Sequence, residues 1–304
     1  MFMGGIIVSL VSFVKTERSN VKRGIEESLR LINHKFQNSI KKIVIKPNMC
    51  YYWDYSTGQT TDPRFVAAVI EILREKISPD VDISIVESDA SAMKCKYAFK
   101  ILGYEKIAQE YGVKLINLSE DKNDIIEVTA GGQTFHLKLP HTIQNADLKI
   151  NIPKIKYTTD KIKLTCALKN IFGCNPYSKK FRYHPKLEEA IVAINKAMKF
   201  DLCLIDGVTV SGTQPCRLGL VMASQDLVAI DVAAAKIAGI NPKMIKYIQL
   251  AHKEGLGNTT FIPKGDPLGY FKDRYPKKNP QSKLLSKAYA LVVHMGLGKR
   301  LGAG

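Results

Sequence analysis

Apolar and polar positions along this chain switch repeatedly between a strand period and a helix period. Lys42 to Lys46 (KIVIK) is a β-branched run closed by Pro47-Asn48, the pattern of a short buried strand. Asp62-Pro63 pairs a capping carboxylate with proline at the first helical position. Phe65, Val66, Val69, Ile70, Leu73 and Ile77 then line one helical face. Asp82 to Val86 is predicted to be a strand ending on Glu87, Ser88 and Asp89, with a helical stretch to Leu102 after it. A helix over Tyr104 to Tyr111 and a strand over Val113 to Leu118 follow. Residues 124–139 read as a hairpin turning at Gly131-Gly132.

The second half repeats the alternation. Ala146 to Ile152 is predicted as a strand and Lys163 to Phe172 as a helix stopped by Gly173. A helix from Pro185 to about Lys199, and strands over Asp201 to Val208 and Gly219 to Ser224, come next. Asp226 caps a helix over Leu227 to Ala238 ended by Gly239, and Asn241-Pro242 starts another ended by Gly255. At the other end, Ile6 to Val11 reads as a first strand, because Met1 to Val14 lacks the basic start and cleavage pattern of a secretion signal. The expected fold is therefore α/β, a mostly parallel or mixed sheet with helices on both faces. Proline, glycine and lysine become frequent near Gly265. This divides the chain into a domain over 1–265, with room for a second lobe from about 140, and a basic tail over 266–304. In the tail, Leu284, Leu285, Ala288, Tyr289, Val292 and Met295 fall on one helical face opposite Lys283 and Lys287.

Charge sharpens this picture because it is unevenly placed. The formal net charge is +17, of which residues 149–186 carry +9 and residues 270–304 carry +7. Such a concentration marks an anionic partner. No stretch reaches the roughly 18–20 apolar residues of a membrane span. The six cysteines (Cys50, Cys95, Cys166, Cys174, Cys203, Cys216) are scattered without a C-x-x-C pair, which points to reduced thiols and a cytoplasmic setting rather than a disulfide framework. The phosphate-loop, dinucleotide, zinc-protease and serine-hydrolase signatures are all absent.

In open α/β sheets, ligands gather beyond the carboxyl ends of the strands. Those positions here supply Lys46 and Asn48, then Glu87 and Asp89, then Lys154 and Lys156, with Lys169 and Asn170 on the next helix and Arg182 and His184 beyond it. A later strand end gives Asp206, and the loop after it reaches Arg217. Lysine and arginine beside asparagine suit carboxylate or phosphate groups, since they supply both charge and N–H donors. Glu87, Asp89, Asp206 and His184 are candidates for moving protons, and the carboxylates among them for a divalent cation.

Three blocks then carry a family resemblance. They are Lys46-Pro47-Asn48, the run from Ile152-Pro153-Lys154-Ile155-Lys156 to Ala167-Leu168-Lys169-Asn170-Ile171-Phe172-Gly173, and Ile205-Asp206-Gly207 with Pro215 and Gly219. Together with Glu87-Ser88 and the Asp226 to Gly239 segment, they resemble the DUF362 family of uncharacterised proteins over roughly residues 5–257. Some members of that family carry a ferredoxin-like iron–sulfur segment after the common domain. This chain has no cysteine after Cys216, so it resembles a short form and no iron–sulfur cluster is expected. It also reads Lys156-Tyr157-Thr158-Thr159 where the family often has lysine-threonine-histidine, so no role of that histidine carries over. In layout the chain also resembles the nickel-dependent lactate racemase family.

The expected function is an enzyme that holds a small carboxylate or phosphate substrate through Lys46, Asn48, Lys154, Lys156, Lys169, Asn170, Arg182 and Arg217. Two alternatives use the same charge differently. One is a nucleic-acid-binding protein in which Tyr157, Tyr177, Phe181 and Tyr183 stack bases between the lysines of 149–186 and 270–304. The other is peripheral membrane contact through the amphipathic tail.

Overall fold

The computed structural model describes residues 8–158 and 161–277. Strand β1 (Ser9–Lys15) is followed by helix α1 (Val21–Leu31), then β2 (Lys42–Pro47), α2 (Pro63–Lys76) and β3 (Asp82–Glu87). Helix α2 starts where the sequence places it, with Asp62 accepting from the Arg64 amide and Pro63 at the first position. Next come α3 (Cys95–Ile101), α4 (Tyr104–Tyr111) and β4 (Lys114–Asn117). The hairpin is β5 (Asn123–Ala130) and β6 (Gln133–Pro140), with Gly131 and Gly132 both at positive φ in its turn. After it lie α5 (His141–Gln144), β7 (Leu148–Ile152), the short pair β8 (Lys156–Tyr157) and β9 (Leu164–Thr165), and α6 (Ala167–Ile171). The chain continues through α7 (Leu187–Ala197), β10 (Leu202–Val210), β11 (Cys216–Ser224), α8 (Leu227–Ile237), α9 (Lys246–Lys253), β12 (Phe261–Gly265) and α10 (Leu268–Arg274).

Eight of these strands form one mixed sheet in the order β12-β1-β11-β10-β7-β2-β3-β4. All neighbours are parallel except β11, which runs antiparallel to β1 and β10. The inner strands are buried on both faces, as period-2 alternation into two cores shows. Ile43 and Ile45 of β2 enter the core beneath α1 to α4, while Val44 enters the opposite core beneath α6 to α10. On β10, Leu202 and Leu204 face the first core, Cys203 and Ile205 the second.

Four differences from the sequence expectation have physical causes. Helix α1 was not anticipated, although Val21, Ile25 and Leu29 recur at four-residue spacing and are buried. The helix expected from Lys163 begins only at Ala167. Asp231 of α8 accepts from the Ala167 amide at 2.6 Å and the Leu168 amide at 3.2 Å, a cap supplied by a distant element. Residues before it form β9 instead, paired with β8. The segment from 266 onward places Phe271 and Tyr275 in the core, and β12 pairs with β1 as an edge strand that tolerates Pro263. The amphipathic helix expected over Ser282 to Met295 lies outside the described residues.

Chain order and sheet order together locate the point where the connections reverse direction. From β2 the chain moves outward through β3 to β4, then returns across β2 to β7 on its other side. Strands β2 and β7 are parallel neighbours, with Lys46 opposite Asn151 and Pro47 opposite Ile152. The connections leaving their carboxyl ends diverge there, which is the switch point where open α/β sheets bind ligands.

Candidate functional site: a lysine cluster at the switch point

Lys46 and Lys154 stand at the carboxyl ends of β2 and β7, yet neither meets solvent; each is 1% exposed. Burying an ammonium is tolerable only with a charged partner and further acceptors. Lys46 Nζ donates to Glu87 Oε2 and to the Pro47 carbonyl, both at 2.7 Å. Lys154 Nζ lies 2.9 Å from Asp206 Oδ2 and donates to the Thr209 carbonyl at 2.7 Å. Asp206 also accepts from the amides of Asp62 at 2.9 Å and Val208 at 3.1 Å. Asp89 pairs with Lys94 at 2.8 Å and takes the Cys95 amide at 2.9 Å. Burial pushes its carboxyl up, but Lys94 and that amide outweigh the burial and hold it below the ordinary value. The carboxylates expected to move protons or hold a divalent cation are thus each engaged by a lysine. Among the described residues, no group of three or more His, Cys, Asp and Glu side chains could hold a metal ion.

The remaining amines of the cluster have no such partner. Lys156 Nζ donates to the Gln59 carbonyl at 2.9 Å. Burial lowers its pKa; Cys50 opposes that shift, and Lys154 and Lys46 add to it. Lys180 Nζ donates to Ser88 Oγ at 2.6 Å and the Gly173 carbonyl at 3.1 Å, and burial lowers its pKa as well. For Lys169, no hydrogen bond or ion pair is formed among the described residues. Burial first, then Lys156 and Lys180, bring its pKa down to about 8, with Cys50 opposing. Lys46, Lys154, Lys156, Lys169 and Lys180 therefore share one region with only Glu87 and Asp206 to neutralise them.

An amide network fixes the floor of this region. Asn48 Nδ2 donates to Asn170 Oδ1 at 2.9 Å, and Asn170 Nδ2 donates to Asn151 Oδ1 at 2.8 Å and to the Lys46 carbonyl at 3.2 Å. Asn151 Nδ2 donates in turn to the Ala167 carbonyl at 3.0 Å. Asn48 Oδ1 is buried without a hydrogen-bond partner. An orphaned buried acceptor is costly, and is a position where a bound donor gains more than on an open surface.

Helix α6 carries Lys169 and Asn170 and is held from three sides. Asp231 takes its first amides, Asn151 donates to Ala167, and Asn195 donates to the Leu168 carbonyl at 2.8 Å. Burial pushes the Asp231 carboxyl up to about 7, against the pull of those amides. Gly173 follows the helix because the backbone must pass close to the buried pair. A Cβ there would sit 3.2 Å from Lys46 Nζ and 3.3 Å from Glu87 Oε1. Gly173→Ala is therefore expected to cost about 1–3 kcal/mol by overpacking, read as a lowered melting temperature.

Three expected residues stand apart from the cluster. Arg182 is exposed and lies over the rings of Tyr177 at 4.6 Å and Tyr183 at 5.7 Å. Arg217 is exposed on β11, and its guanidinium makes no hydrogen bond or ion pair among the described residues. His184 is exposed; partial burial, then Lys169 and Lys161, lower its pKa, so it lies within reach of the cluster's field. Sequence reasoning missed Cys50, Ser88 as a partner of Lys180, Asn151 and Lys180 itself. Only Asn151, opposite Lys46 in the register, had a signal in its strand position.

Fold and site define an α/β protein whose polar chemistry converges at the switch point between β2 and β7. Residues 43–236 match the family described as "Domain of unknown function (DUF362)", and the chain belongs to that family. A relative, the "Thylakoid-associated protein sll1697" of Synechocystis sp., is 25% identical over 232 residues, covering 72% of this chain and 69% of that protein. Among solved structures, the lactate racemase apoprotein from Thermoanaerobacterium thermosaccharolyticum aligns with a TM-score of 0.44 and 14% identity. That alignment covers 76% of this chain and 57% of the racemase chain. Among the described residues, no helix is long and apolar enough to cross a membrane.

Proposed function

We propose that this protein is an enzyme that binds a small carboxylate- or phosphate-bearing substrate in the lysine cluster. The observation that carries the reading is Lys169, an amine with no acid partner among the described residues, in the field of Lys156 and Lys180 at the switch point. Lys156, Lys169 and Lys180 hold the anion. Asn48 takes a substrate hydroxyl or amide through its unpartnered Oδ1, and the Lys46–Glu87 and Lys154–Asp206 pairs brace the walls. His184 is the proton-handling candidate, since its ring makes no hydrogen bond among the described residues and sits in the field of Lys169. Burial of Lys46, Lys154 and Lys156 favours a small ligand over a nucleic acid, which needs its cations on an open surface. The unpaired state of all six cysteines favours a reducing, cytoplasmic setting.

The test is a thermal-shift screen against carboxylates, phosphates, nucleotides and RNA in salt-matched buffer. Binding to the native state raises the melting temperature by mass action. A shift for one class of small anion is expected. A shift for RNA alone, steeply weakened by salt, would overturn the reading.

A pH dependence follows from the same amine. With its pKa lowered to about 8, Lys169 is charged below that pH and neutral above it. Anion affinity is therefore expected to hold steady up to about pH 8 and then fall, by at most about tenfold per pH unit for one coupled proton. Isothermal titration between pH 7 and 9 reads it directly. Affinity that rises with pH would contradict this assignment.

A further inference from the structure

We propose that Lys169 forms an imine with a carbonyl carbon of the bound anion. That makes the substrate an oxo acid or a ketone or aldehyde phosphate. The inference rests on reading the lysine cluster as an anion site and adds a covalent step to it.

The lysines of the cluster are not chemically equivalent. Lys46 and Lys154 are ion-paired with Glu87 and Asp206. Lys180 is tethered to Ser88 and Gly173 and Lys156 to Gln59, each with an N–H left to donate. Lys169 Nζ alone among them has no hydrogen bond or ion pair among the described residues, and its neighbours are cations rather than carboxylates. Such an environment favours the free amine, whose lone pair is the nucleophile. Its pKa of about 8 leaves a useful neutral fraction near neutral pH. The backbone that presents it is pinned by Asp231, Asn151 and Asn195, so the stem starts from a fixed point.

The chemistry balances within the site. The Nζ lone pair forms a C–N bond to the carbonyl carbon while the C=O π pair moves to oxygen, where Lys156 and Lys180 stabilise the developing charge. A proton passes from nitrogen to that oxygen to give the carbinolamine. A second proton, delivered from solvent by His184, lets the hydroxyl leave as water, and the nitrogen lone pair completes the C=N bond as an iminium. The substrate's own carboxylate or phosphate stays with Lys156 and Lys180.

The experiment incubates the full chain with pyruvate, oxaloacetate, 2-oxoglutarate or dihydroxyacetone phosphate and sodium cyanoborohydride. The reductant delivers hydride to the imine carbon and fixes a stable secondary amine, read by intact mass and peptide mapping. One adduct at Lys169 is expected, at least about ten times faster than at any other lysine and suppressed by the matching hydroxy acid, which has no carbonyl. Lys169→Arg has no amine able to form an imine, so it is expected to lose the adduct. A thermal shift with no adduct, or adducts spread evenly over surface lysines, overturns the imine and leaves the anion site standing. Neither shift nor adduct across the panel overturns both.

Discussion

Asp206→Ala is expected to destabilise the protein by about 3–5 kcal/mol, because it strands a buried lysine rather than deleting a surface charge. Asp206 is fully buried, and its two oxygens take the Lys154 ammonium and the amides of Asp62 and Val208. Removing the carboxylate leaves Lys154 without its counterion and both amides without an acceptor. At roughly 2–4 °C per kcal/mol for a domain of this size, the melting temperature falls by about 6–20 °C. The double variant Asp206→Ala with Lys154→Met recovers most of that loss, since a buried pair replaced by apolar groups is close to neutral. Thermal denaturation of the three proteins at pH 7 checks it. Equal losses in the single and double variants would mean the pair is not what stabilises this edge.

Lys169→Met is expected to move stability and binding in opposite directions. It removes the one cluster amine with no partner among the described residues, so anion affinity falls about ten- to a hundredfold, the worth of a charge-assisted hydrogen bond. The same change raises the melting temperature at pH 7, where the folded wild type carries a partly buried charge with no counter-ion among the described residues. The sign follows from linkage. The folded pKa of about 8 lies below the ordinary value of 10.5, so between them the unfolded chain binds more protons. Wild-type stability therefore rises with pH across that window, and the variant's advantage shrinks there. A variant less stable than wild type at pH 7 with unchanged affinity would contradict both halves.

The fold was largely legible because strands buried on both faces leave apolar runs that turn signals punctuate. Asp62-Pro63, Gly131-Gly132 and Asp226 marked boundaries by chemistry that acts within a few residues. Local signals could not place the start of α6, which depends on a carboxylate 64 positions away in sequence. The strand-end rule found Lys46, Asn48, Lys154 and Asp206 because it reads topology from order alone. It could not tell that Glu87 and Asp206 are consumed by lysines while Lys169 is not. That distinction depends on which side chains share a buried volume, and it decides the chemistry. Arg182 and Arg217 show the converse, since basic residues near the cluster in sequence point elsewhere in space.

The most direct measurement is an NMR titration of the Lys169 side-chain amine, assigned by comparison with Lys169→Arg. It is run on the free protein and again with the small anion that gives the largest thermal shift. The account predicts a midpoint near 8 in the free protein, moving upward once the anion supplies the missing counter-charge. A midpoint at the ordinary lysine value of roughly 10.4, unchanged by any anion in the screen, would contradict it.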